Sequence, residues 1–138
     1  VLPARIVSRD PKAEVSFLEC GGQRLVVPYL GRPQSSHVRL HVRARDVMIA
    51  RTPPRDISAN NIIPVTVIKI SDEPGDTIDV TMCFGHDADA CLLAETSGRP
   101  TIHARITKWS GARLNLQAHK KVFAIIKSVM VNGQLRDR

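Results

Sequence analysis

Apolar and polar residues alternate along much of this chain with the two-residue period of a half-buried strand, so the pattern predicts sheet from end to end. The longest apolar stretch is residues 121–131, KVFAIIKSVMV, interrupted only by Lys127 and Ser128. Read as one strand, it sets Val122, Ala124, Ile126 and Met130 on one face and Phe123, Ile125, Val129 and Val131 on the other. A strand apolar on both faces belongs in a sheet interior. Lys127 in its middle then needs a reason: either its stem packs while the ammonium reaches water, or an anion sits opposite it.

Upstream, residues 3–8, 14–20 and 24–30 read as strands, closed by turns at Gly21-Gly22 and Gly31-Arg32-Pro33. Residues 38–50 read as a fourth strand, with Val38, Leu40, Val42 and Ala44 on one side and Arg39, His41, Arg43 and Arg45 on the other. Beyond Asp46 the apolar phase slips by one residue, as a bulge allows. The cationic side is either a binding stripe or, more simply, a solvated outer face.

Thr52-Pro53-Pro54 marks a linker, so residues 1–52 form a first half, 53–56 the connection, 57–133 a second half and 134–138 a polar tail. In the second half 62–70, 78–84 and 101–107 read as strands, 91–95 as a short weak one, and 71–76 and 85–89 as turns. Residues 108–116 suit one or two helical turns that carry Leu114 and Leu116 toward the core.

Roughly eight or nine short strands with regular turns and one short helix make an all-β chain. A small barrel of the oligonucleotide/oligosaccharide-binding (OB) type is the natural architecture, because closure removes exposed edges. An internal echo lays residues 41–49 over 123–131, matching Arg45 to Lys127, Asp46 to Ser128 and Val47-Met48 to Val129-Met130. It points to tandem OB-like barrels.

The totals narrow the chemistry. The 138 residues carry a formal charge of +7 and a pI near 9.9, which favours anionic partners. With one Trp, one Tyr and three Phe, the chain is poorly equipped to stack bases. Cys20, Cys83 and Cys91 are scattered and odd in number, which suits reduced buried thiols without a zinc site. No apolar run of about eighteen residues is present to span a membrane as a helix. The opening Val1-Leu2-Pro3, without Met, reads as part of a longer or processed chain.

Catalysis finds no support: there is no phosphate-cradling G-x-x-x-x-G-K-[ST] loop, no H-E-x-x-H and no G-x-S-x-G. The five His are dispersed, and the i, i+4 spacing of His37 and His41 suits a metal only on a helix. Neither catalytic nor metal-ligating residues are therefore assigned.

Three polar islands do stand beside apolar strands: residues 57–61, 106–110 and 126–128. Together they offer hydroxyls, amides and one cation, and no carboxylate, a set suited to a small oxyanion. Backbone N–H groups after Thr107 would add donors. The structural alternative is that Thr107 or Ser110 caps the helix, Ser58 and Asn60 shape a turn, and Lys127 snorkels.

At these islands the chain resembles a known family. Ser58-Ala59-Asn60-Asn61 resembles the S-A-R-N opening of molybdate-binding Mop modules, and residues 104–107 with Ser110 and Leu116 are similar to their A-x-I-T-x-x-S…L stretch. Residues 124–128 resemble their A-x-I-K-[AS]-[ST] closing strand, and residues 42–47 look like the R-x-R-D-V form of the preceding half. Such a tandem is typical of the C-terminal regulatory (TOBE/Mop-type) domain of the ATP-binding subunit of bacterial molybdate importers.

The resemblance implies an all-β fold of tandem OB-like small barrels (TOBE/di-Mop type) with one short helix. It implies a homodimer that binds molybdate or tungstate where protomers meet, with no other cofactor, and that restrains transport when the cytoplasm is supplied. By motif, Ser58, Asn60, Thr107, Ser110, Lys127 and Ser128 would hold the anion, with Asn60 standing where the family usually has Arg. The implied partners are an ATPase domain of the same chain and, through it, a membrane permease. The implied place is the cytoplasmic face of the plasma membrane. No nucleic acid is expected. The competing readings are a nucleic-acid-binding barrel using Arg39, His41, Arg43 and Arg45, and a domain that only dimerises or docks a regulator.

Overall fold

In β1 (Leu2–Asp10) the inward Leu2, Ala4 and Ile6 are buried while Pro3 and Arg5 are exposed, the period of a strand with one wet face. The same rule builds β2 (Val15–Cys20), β3 (Gln23–Pro28) and β4 (His37–His41), where Val38 and Leu40 are buried and His37, Arg39 and His41 are exposed. A 3-10 turn at Ala44–Asp46 leads to β5 (Val47–Ala50). After the Pro-containing connection come β6 (Asn61–Asp72), β7 (Thr77–Phe84) and β8 (Thr101–Thr107), the short helix α1 (Lys108–Arg113), β9 (Lys121–Ile126) and β10 (Met130–Val131). The computed structural model describes residues 2–87 and 99–131. The expected strand at 91–95 and the tail at 134–138 lie outside the described residues.

The strands make two curled antiparallel half-barrel sheets, ordered β10-β4-β1-β2-β3 and β5-β9-β6-β7-β8. One core cluster joins them, from Leu2, Ile6, Leu18 and Leu25 of the first sheet to Val65, Val80, Ile102 and Val122 of the second. Full burial of each such side chain is worth about 1.5–3 kcal/mol.

The two sheets exchange their edge strands. β5 follows the first sheet in sequence yet pairs with β9, as Val47↔Ile126 and Ala50↔Phe123. β10 follows the second sheet and pairs with β4, as Met130↔His41 and Val131↔Leu40. Substituting β4 for β9, β1 for β6, β2 for β7, β3 for β8 and β10 for β5 maps one sheet order onto the other. The internal echo marks the two crossings: residues 41–49 and 123–131 each leave one sheet and enter the other.

Two sequence expectations are corrected here. Residues 121–131 are not one strand, since the chain leaves the sheet at Lys127 and Ser128, both exposed. Residues 38–50 are not one bulged strand, since the phase slip at Asp46 is the 3-10 turn between sheets. Polar and charged side chains need water, so the chain turns outward where they fall and only then buries an apolar residue, Val47 or Val131, in the other sheet. The crossings touch, with Lys127 N–H donating to the Asp46 carbonyl at 3.2 Å.

Of the described cysteines, Cys20 is as expected and Cys83 is not. Cys20 is a buried free thiol, pushed up to about 11 by burial and then by the Glu19 carboxylate. Cys83, expected to be reduced, is disulfide-bonded.

Candidate functional site

Ser58 and Asn60 lie on the irregular segment before β6, held there by Asn61. The Asn61 side chain is buried, occupying the inward phase that continues through Ile63, Val65 and Val67. Its Oδ1 accepts from Val26 N–H at 2.7 Å and its Nδ2 donates to the Val26 carbonyl at 2.9 Å. The amide thus bonds β3 as a neighbouring strand would, tying the entry to β6 against the other sheet.

Lys127 and Ser128 sit on the crossing from β9 to β10. With Ser58 and Asn60 they line one cavity of about 350 Å³. Its far wall is the end of β3, residues 26–28, and its rim includes Glu14. Glu14 has a φ of 62°, a left-handed conformation unusual for a side-chain-bearing residue, and its carbonyl accepts from Tyr29 N–H at 2.9 Å. The cavity therefore carries one cation, one carboxylate, two hydroxyls and amide groups.

Thr107 and Ser110 are elsewhere. Thr107 is the N-cap of α1: its Oγ1 accepts from Ser110 N–H at 3.1 Å and its hydroxyl donates to Ser110 Oγ at 3.0 Å. Lys108 N–H donates to the Asp76 carbonyl at 2.8 Å, fixing the start of α1 to the turn before β7. Gly111 is buried where a Cβ would meet Ile78 Cδ1 at 2.6 Å, so α1 lies tight on β7. Asn115, with φ 54°, ends the turn in the left-handed conformation that Asn tolerates. Thr107 and Ser110 line a second cavity of about 310 Å³ together with Arg45, Arg105 and Arg113.

The six residues expected at one site thus fall into two sets in a single copy of the chain. Ser58, Asn60, Lys127 and Ser128 meet in the first cavity, and Thr107 and Ser110 line the second. The cap anticipated for Thr107 is present, and it leaves the Ser110 hydroxyl free to donate outward. The cationic side of residues 39–45, read as either a stripe or a solvated outer face, is divided in the structure. Arg39 and His41 stay on the outer face of β4, Arg43 pairs with Asp46 at 2.9 Å, and Arg45 turns to the second cavity.

Sequence reasoning missed Asn61 and Glu14. An amide in the apolar inward phase of β6 was the readable signal for Asn61. For Glu14 none existed, because only the folded chain brings its turn beside residues 58 and 127.

Comparison with known proteins follows the same lines. A model of the TOBE domain family matches residues 57–132. The molybdenum import ATP-binding protein ModC of Mesorhizobium japonicum is 33% identical over 129 residues, which are 94% of this chain and 31% of that protein. The protein of the same name from Brucella abortus is 36% identical over 133 residues, 96% of this chain and 33% of its own length. The chain therefore spans about a third of the length of these curated relatives. Among solved structures, the cytoplasmic molybdate-binding protein ModG with molybdate bound superposes with a TM-score of 0.72 at 22% identity, covering 94% of this chain and 92% of that one. That likeness establishes the fold. With the family match spanning more than half of its 138 residues, the chain belongs to the TOBE domain family.

Proposed function

We propose that this chain is the oxyanion-sensing regulatory domain of the ATP-binding subunit of a molybdate importer. One observation carries the reading: Ser58, Asn60, Lys127 and Ser128, from two segments far apart in sequence, line one cavity. Hydroxyl, amide and ammonium donors replace the water of a tetrahedral dianion, whose desolvation is otherwise costly. The relatives' names, molybdenum import and molybdate binding, agree with that chemistry.

The site is completed by a second copy of the chain, which brings its Thr107 and Ser110 to the cavity that holds Lys127. Two large apolar side chains flank that second surface in the open: Met48, 61% exposed, and Trp109 on α1, 71% exposed. A surface covered by a second copy has this character. Donors drawn from two copies make anion occupancy and dimer geometry mutually dependent. An ATPase domain in the same parent chain, and the membrane permease it contacts, would read that geometry at the cytoplasmic face of the membrane. The domain itself catalyses nothing, and its ligand, molybdate or tungstate, restrains transport when the supply is sufficient.

Titration calorimetry of the chain with molybdate, with sulfate as control, tests the reading. The expected result is saturable molybdate binding that Lys127→Ala weakens at least about tenfold, the loss of a charge-assisted contact. Absence of both heat and thermal shift at millimolar molybdate contradicts it.

A further inference from the structure

The cavity with Lys127 is short of positive charge for a dianion. Asn60 is neutral, and the lining holds one carboxylate, Glu14, against one ammonium, Lys127. The second cavity has the charge that the first lacks. Thr107 and Ser110 share it with three guanidinium groups, and these are not equally available. Arg105 Nε lies 3.3 Å from Asp79 Oδ1, so its charge is already paired. The Arg113 guanidinium stacks over the Trp109 ring at 5.0 Å. Arg45 is exposed and has no ion pair or ring contact among the described residues.

The place of Arg45 in the fold is informative as well. It stands in the 3-10 turn on the crossing from β4 to β5, and Lys127, which the internal sequence echo aligns with it, directly follows β9 on the crossing to β10. Each crossing thus carries a cation, and each cation lines its own cavity. Whatever contact carries Thr107 and Ser110 to the Lys127 cavity carries Arg45 with them.

We propose that Arg45 is the second cation of the oxyanion site, delivered by the second copy alongside Thr107 and Ser110, and that it fills the charge role left vacant by Asn60. This rests on the reading above, in which two copies enclose the anion. A guanidinium presents a fixed fork of donors to two oxygens of one anion, which a second ammonium would not. The pair Lys127 and Arg45 outweighs Glu14, so the completed site is suited to doubly charged tetrahedral oxyanions.

The test is molybdate titration of the unaltered chain and of four variants. Arg45→Gln weakens molybdate binding at least about tenfold. Lys69→Gln removes the same unit of charge from the exposed edge of β6, away from both cavities, and leaves the affinity unchanged. Adding Asn60→Arg to Arg45→Gln restores binding. Co-expressed Arg45→Gln and Lys127→Ala copies regain tight sites that neither has alone, because one of the two sites in a mixed pair then draws both cations from undamaged positions.

If Arg45→Gln binds like the unaltered chain while Lys127→Ala loses binding, the role of Arg45 is wrong and the oxyanion reading stands. If the mixed copies regain nothing, delivery from the second copy is wrong. If the unaltered chain takes up no molybdate, the oxyanion reading fails and Arg45 fails with it.

Discussion

The Asn61 amide bonds Val26 through both a donor and an acceptor, and it does so buried between the sheets. Asn61→Leu would keep the volume and strand the Val26 N–H and carbonyl without partners. Each unpaired buried group costs about 1–3 kcal/mol. The expected result is a clear fall in thermal midpoint with weaker molybdate binding, because residues 58–60 and the wall at 26–28 lose their common tie. An Asn61→Leu chain that melts with the unaltered one contradicts this role. At this scale the sequence was partly legible. Lys127, Ser58 and Thr107 stand out because each is polar beside an apolar run. Glu14 does not, since its meaning depends on a neighbour more than a hundred positions away.

Among the elements, α1 matters most, since it fixes Thr107 and Ser110 relative to the sheet. Its six residues are too few to hold a helix unaided. The Thr107 cap, the Lys108 bond to Asp76 and the close approach at Gly111 hold it to β7 and β8. Gly111→Val would drive the helix off Ile78 at an overpacking cost of about 1–3 kcal/mol. The expected outcome is a lower thermal midpoint and looser molybdate binding with the Lys127 cavity itself intact. Unchanged melting and binding together would show that α1 tolerates displacement. The helix and most strands were legible from two-residue alternation and turn residues. The breaks inside 38–50 and 121–131 were not, because alternation tells which face a residue takes and not which sheet receives the strand. In both cases the interrupting polar pairs, Arg45-Asp46 and Lys127-Ser128, were visible while their consequence was not.

For the whole molecule, the exchanged edge strands give one core to both halves and put a cation-bearing crossing beside each cavity. The split of the six expected residues between two cavities is then what a ligand site shared between copies requires. Under the proposed function, each copy would contribute the Lys127 cavity to one site and the Thr107 surface to another. The most direct test is anomalous diffraction at the molybdenum edge from crystals of the chain grown with saturating molybdate. The account predicts one strong peak within hydrogen-bond reach of Ser58, Lys127 and Ser128 of one copy and of Thr107 and Ser110 of another. A peak enclosed by a single copy, or none at these residues, would contradict it.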